Sequence, residues 1–212
     1  MLFSTDDEGG QPSNKLISIS TEAVKQAQQI SLNDVSARLK SPPYYPDIWP
    51  GEHYKLLAGL VLTLKPKVVI EIGTYTGLSA LTMKKCLEEG SKLYTFDIFE
   101  WNSFKDSCLV EDDFKDGKLV QYIDDLTDPS VVARHRGLLE EADLIFIDAA
   151  KDGSMEKKFL DNFENISFKR KPIFVFDDIR VWNMLKIWRE ITRPKLDLTS
   201  FGHWAGTGLI EW

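Results

Sequence analysis

The chain has 212 residues with 26 Lys plus Arg against 33 Asp plus Glu, a formal net charge of −7, with 43% hydrophobic and 28% charged residues. This length suits one domain with a substantial core. The acid excess argues against a chain whose main task is binding nucleic-acid phosphates or an anionic membrane. The apolar run Leu56–Leu64 is too short to span a bilayer, and the polar, acidic segment Met1–Asn14 lacks the order of a signal peptide. With only Cys86 and Cys108 as thiols, a reducing, cytoplasmic setting is expected.

In chain order, residues 1–15 read as a disordered N-terminal arm and 16–212 as a single domain, in which 16–51 form a helix and an aromatic, Pro-rich loop acting as a cap. Ser20 or Thr21 is the expected cap of a helix running to about Lys40. Ser41–Gly51 holds four prolines and three aromatics and predicts a shaped loop. The helix and this loop would pack on the sheet or on a second subunit, so a homodimer is one expectation. Tyr54, Leu57, Val61 and Leu64 then follow helical spacing.

Five short apolar runs come next: Val68–Ile72, Leu93–Phe96, Leu119–Ile123, Leu144–Ile147 and Ile173–Phe176. They alternate with amphipathic stretches at about 76–88, 128–139, 153–164 and 180–190. Strands apolar on both sides and separated by helices indicate a parallel sheet covered on both faces, an α/β fold of three layers. Leu196–Phe201 and Thr207–Trp212 read as an antiparallel C-terminal hairpin, which makes seven strands.

Ligands of such sheets bind beyond the carboxyl ends of the strands. There the chain places Asp97, Asp148 and Asp177 directly after three runs, Asp124 and Asp125 after another, and Glu71 just before Gly73. Single carboxylates at strand ends are often helix caps; five runs of five ending in acid point to a ligand site. Gly73 and Gly77 allow close backbone approach, and Asp97 suits a ribose. The loop is Glu-x-Gly-x-x-x-Gly rather than the dinucleotide pattern Gly-x-Gly-x-x-Gly, which favours a nucleoside cofactor without a long pyrophosphate.

Glu71-Ile-Gly-Thr-Tyr-Thr-Gly-Leu-Ser79, the strand ending in Asp97, Ile147-Asp-Ala-Ala-Lys-Asp152 and Phe176-Asp-Asp178 together resemble class I S-adenosylmethionine-dependent methyltransferases. The resemblance is to the catechol and caffeoyl-CoA O-methyltransferases in particular and covers about residues 52–212. It implies a Rossmann-like methyltransferase fold and methyl transfer from S-adenosylmethionine to a hydroxyl of a small-molecule acceptor. Glu71, Gly73, Tyr75, Gly77 and Ser79 would hold the cofactor's methionine end, Asp97 its ribose, and Asp124 and Asp125 would lie near its adenine. Asp148, Asp177 and Asp178 would hold Mg²⁺ or another divalent cation, and Lys151 would be the general base. The family's asparagine is replaced by Asp178, which leaves a second role open, as cap of the next helix with no metal bound.

The readings that stay open are a metal-independent methyltransferase, a non-catalytic cofactor-binding protein and a nicotinamide-dependent oxidoreductase. The last is disfavoured by the missing Gly-x-Gly and Tyr-x-x-x-Lys patterns. His53 reads as a surface or capping group rather than a cofactor or substrate contact, His203 as a structural group or a substrate contact, and His135 as solvated. Tyr44, Tyr45, Trp49, Phe99, Trp101 and Trp182 are candidate walls of an acceptor pocket or covers of the core edge.

Overall fold

The computed structural model describes residues 10–49 and 52–212. Seven strands form one sheet: β1 Val68–Ile72, β2 Lys92–Asp97, β3 Leu119–Ile123, β4 Leu144–Ile147, β5 Ile173–Asp177, β6 Lys195–Asp197 and β7 Thr207–Glu211. The helices are α1 Asn14–Gln29, α2 Asn33–Ser36, α3 Tyr54–Leu64, α4 Leu78–Cys86, α5 Pro129–Leu139, α6 Ser154–Phe163 and α7 Met184–Glu190. The strand order is β3-β2-β1-β4-β5-β7-β6. The first five strands run parallel, and β7 pairs antiparallel with both β5 and β6.

The alternation of side chains along each strand explains the three layers. Val69, Leu93, Phe146 and Val175 point into a core shared with α1, α3 and α4. Ile70, Phe96, Ile147 and Phe176 point the other way, into a core shared with α5, α6 and α7. Both faces of the central strands are therefore apolar, as a helix-covered parallel sheet requires. Consecutive strands run outward from β1 through β2 to β3, and the chain then crosses to β4 on the other side of β1. The crevice between β1 and β4 is thus the point where the winding reverses.

The N-terminal part departs from the sequence expectation. The first helix begins at Asn14, not after Ser20 or Thr21. The Ser13 hydroxyl accepts the Leu16 N–H at 3.0 Å and also donates to Glu211 at the far end of the chain. The helix stops at Gln29 rather than Lys40 because Ile30 turns extended, and the short α2 follows. Of the expected arm, residues 1–9 lie outside the described residues, while Gly10 is buried and Ser13 is the helix cap. The hairpin strand β6 is shorter than expected because Asp197 turns the chain, its carboxylate accepting the Thr199 N–H at 2.9 Å. The last helix starts at Met184, so Asp178 does not cap it. Among the described residues no helix is long and apolar enough to cross a membrane. Cys86 and Cys108 are both free thiols.

Helix α1 lies against α3 at a contact that only glycine permits. A Cβ on Gly59 would stand 2.2 Å from the Ala23 carbonyl oxygen. Gly59→Ala should therefore destabilise the fold by about 1–3 kcal/mol, as overpacking does. Gly137 in α5 has no neighbour within 4 Å of such a Cβ. Gly137→Ala should be neutral or stabilise by up to about 1 kcal/mol through helix propensity. Urea unfolding midpoints check the contrast, and equal midpoints for the two variants would contradict the close packing of α1 on α3.

Candidate active site

A cavity of about 540 Å³ opens at the carboxyl ends of β1, β2, β4 and β5. Its floor is the reversal crevice. The Asp148 N–H donates to the Ile72 carbonyl at 2.9 Å, and a Cβ on Gly73 would stand 2.0 Å from the Asp148 carbonyl oxygen. Gly73 also has φ +101, so both space and backbone conformation demand glycine there.

One wall comes from the β1 loop and the end of β2. Asp97 Oδ2 accepts the N–H groups of Thr74 and Tyr75, both at 2.9 Å, and Oδ1 accepts that of Phe99 at 3.0 Å. A carboxylate offers about four acceptor positions, so one on Oδ1 remains for a ligand hydroxyl. Tyr75, Ile98, Phe99 and Phe104 line the cavity beside it. At the far end, Asp124, Asp125 and Leu126 face Met155 and Phe159 across the cavity. Asp124 is held by ion pairs with Arg134 and with His135 Nε2, the latter at 2.7 Å, and Asp125 accepts the Thr127 N–H at 2.8 Å. His135 is thus largely buried, packed edge-on against Phe96, rather than solvated.

Three of the residues grouped with the cofactor loop stand behind it. Glu71, Gly77 and Ser79 do not line the cavity. Glu71 is fully buried and accepts the Ser79 hydroxyl at 2.5 Å, which ties β1 to the first turn of α4. Gly77 is the cap of that helix, with its Cα against Leu109. Their sequence signal was a motif, and the fold uses this part of it to set the loop's shape.

The opposite wall is an ionic cluster. Lys151 Nζ lies 2.5 Å from Asp148 Oδ1, 2.7 Å from Asp178 Oδ2 and 3.4 Å from Asp177 Oδ2. Lys151 and Asp178 both adopt the left-handed backbone, with φ 59 and 57. Non-glycine residues rarely do so unless their surroundings impose it, and such positions concentrate at functional sites. Buried Glu156 imposes it on the lysine: its two carboxylate oxygens accept the N–H groups of Lys151 at 2.7 Å and Gly153 at 2.9 Å.

Two histidines complete the cluster. His53 Nδ1 is 3.2 Å from Asp177 Oδ1, and both side chains are almost wholly buried. His203 Nδ1 lies 3.3 Å from Asp178 Oδ1, and its Nε2 is 2.7 Å from Glu52 Oε2. The Ala205 N–H donates to His203 Nδ1 at 3.1 Å, which leaves Nε2 as the donor to Glu52. The sequence carried no spacing signal for Glu52, His53 and His203. They arrive from the start of α3 and from the β6–β7 connection, and only tertiary structure joins them. Of the candidate wall aromatics, Phe99 lines the cavity, whereas Tyr44, Tyr45, Trp49, Trp101 and Trp182 do not. Trp182 is 77% exposed and Trp101 packs on Phe114.

Electrostatics follow from this crowding. Burial opposes charge on Lys151, but Asp148 and Asp177 override it and hold the ammonium well above its ordinary pKa. Burial and the neighbouring Asp177 push Asp148 up to about 6. Burial also opposes ionisation of Asp177, yet His53, Lys151 and His203 hold its carboxyl well below the usual range. Burial lowers His53, and the facing carboxylates, Asp177 first, more than reverse this and raise it to about 9.

A parallel sheet that reverses its winding at a cavity lined by strand-end carboxylates is a nucleotide-type binding scaffold. The sequence pattern of a methyltransferase domain matches residues 70–179, and the chain belongs to that family. Solved structures agree on the fold. A methyltransferase from Geobacter sulfurreducens superposes with a TM-score of 0.55 at 12% identity, over 75% of this chain and 78% of the other. A Staphylococcus aureus protein assigned provisionally as a caffeoyl-CoA O-methyltransferase gives 0.56 at 15% identity, over 92% and 100%. A Klebsiella pneumoniae protein assigned provisionally as an O-methyltransferase gives 0.51 at 17% identity, over 94% and 90%. No curated protein matches the chain in sequence.

Glu71 offers a test of the loop's electrostatics. Burial raises its pKa from 4.5 to about 7, the hydrogen bond from Ser79 notwithstanding. A group with a raised folded-state pKa contributes stability that is present below about pH 4.5 and lost as pH rises through about 7. Glu71→Gln removes the ionisation while keeping an acceptor for Ser79. Relative to wild type it should gain up to roughly 3 kcal/mol between pH 5 and pH 8. Denaturant unfolding at the two pH values checks this, and a pH-independent difference would contradict it.

Proposed function

We propose that this methyltransferase uses S-adenosylmethionine to methylate a hydroxyl of a small-molecule acceptor, with Lys151 at the reacting oxygen and a divalent cation on Asp148, Asp177 and Asp178. The observation that carries the reading is the placement of Lys151 among three carboxylates, in the same cavity as Asp97. S-adenosylmethionine, when bound, supplies a methyl group on a sulfonium to a nucleophilic oxygen. The donor's methionine end would lie beside Gly73 and Tyr75, which line the cavity. Asp97 has one acceptor position for a ribose hydroxyl, and Asp124, Asp125 and Leu126 line the end suited to adenine. Negative charge from Asp97, Asp148 and Asp177 favours a sulfonium over its neutral product.

The acceptor hydroxyl must lose its proton as the new O–C bond forms and the S–C bond breaks. A divalent cation on three carboxylates would lower that hydroxyl's pKa. The donor groups suited to such an ion pair Asp177 with Asp148 or with Asp178, each beside a histidine, and Asp177 Oδ1 is a buried oxygen without a hydrogen-bond partner. A cation there would relieve the negative charge that keeps Lys151 protonated, which frees its amine to take the proton. Rate enhancement would further require the cavity walls to hold donor and acceptor in line.

A second reading, transfer without a metal, is favoured by one observation: the Lys151 ammonium already bridges all three carboxylates. In that case the ammonium would stabilise the acceptor oxygen directly, and the hydroxyl proton would pass to Asp148 as the O–C bond forms. A chelator separates the two readings. It should abolish turnover in the first and leave it unchanged in the second.

Calorimetry should show binding of S-adenosylmethionine and S-adenosylhomocysteine but not NAD. Lys151→Ala should keep donor affinity nearly intact while turnover on a panel of hydroxyl acceptors falls roughly 10²–10⁴-fold. Binding of NAD alone, or wild-type turnover in Lys151→Ala, would overturn the assignment.

A further inference from the structure

His53 is buried in an ion-pair contact with Asp177, without a hydrogen bond of good geometry. It is 3% exposed, and neither ring nitrogen has a hydrogen-bond partner. A buried polar group without a partner is costly and rare in folded proteins. Its Nδ1 faces Asp177 Oδ1 at 3.2 Å, yet the two are not aligned as donor and acceptor, and that oxygen is itself without a partner. Two buried ligand-type atoms thus face each other in an ion-pair contact without a well-formed hydrogen bond, and a cation could take the place of that contact.

The spacing suits a metal ion. Metal bonds of about 2.1 Å place neighbouring ligand atoms of an octahedral ion roughly 3 Å apart and opposite ones about 4.2 Å apart. His53, Asp148 and Asp177 each offer one ligand atom, and these atoms all lie within 4.8 Å of one another. His203 is less suited, because its Nδ1 already accepts the Ala205 N–H and its Nε2 contacts Glu52. The Lys151 ammonium, on a flexible four-carbon stem, is the group that an arriving ion would displace from Asp148.

We propose that His53 joins Asp148 and Asp177 as a nitrogen ligand of the cation site, so that the site selects a divalent transition ion such as Mn²⁺ or Zn²⁺ over Mg²⁺. The proposal rests on the reading that a cation serves this cavity. Its chemical basis is ligand type: Mg²⁺ takes oxygen ligands and keeps much of its water, whereas imidazole favours transition ions. The residue that determines the ion would then come from the position just before α3, outside the three-carboxylate set.

Pulsed electron paramagnetic resonance on the full chain loaded with Mn²⁺ in a large excess of Mg²⁺ tests this without reference to activity. The expected spectrum shows ¹⁴N modulation from a directly bound imidazole. His53→Gln should abolish the modulation and weaken Mn²⁺ binding about tenfold or more, while His203→Gln keeps both. Loss of the modulation in His203→Gln with retention in His53→Gln would overturn the assignment. So would Mn²⁺ bound without nitrogen modulation in the wild-type chain, a measurement that needs no variant to fold. Absence of Mn²⁺ binding would overturn it too. S-adenosylhomocysteine affinity measured on the same samples shows in each case whether the donor-site reading survives.

Discussion

One ammonium set among three carboxylates organises one wall of this protein's cavity. Asp148 follows β4, Asp177 ends β5, Asp178 follows it, and Lys151 closes the group from the turn after β4. Without that positive charge the acids would repel one another at separations where water cannot screen them. The left-handed backbone at Lys151 and Asp178, and the buried Glu156 that fixes the lysine turn, are consequences of holding this arrangement. A site so constructed accepts a change of charge at its centre only if another group compensates.

The sheet explains why the acids meet. Parallel strands release their chains at one edge, and the reversal between β1 and β4 opens a crevice there. Residues immediately after the apolar runs were therefore legible as lining one common cavity, because their position depends only on strand ends. Asp97, Asp124, Asp125, Asp148, Lys151, Asp177 and Asp178 all line the cavity. The boundaries of β1, β3 and β4 were equally legible, since runs apolar on both faces have few alternative explanations.

What stayed hidden depends on pairings distant in sequence. Ser13 as a cap follows from its contacts with Leu16 and Glu211, the latter 198 residues away. Glu71 and Ser79 belong to a recognisable loop, yet which side of it faces the ligand is set by packing against α4 and Leu109. His53 and His203 each stood alone in the sequence, where an isolated histidine reads as a capping or structural group. Only the fold brings their rings to 5.6 Å from each other, both facing Asp177 Oδ1.

The central claim is that the donor's reacting sulfur lies between the β1 loop and the Lys151 cluster. A crystal structure with S-adenosylhomocysteine bound tests it most directly. The account predicts the ribose against Asp97, the adenine beside Asp124–Leu126 and the sulfur facing Asp148 and Lys151. A nucleoside bound outside this cavity, or one whose sulfur points away from Lys151, would contradict it.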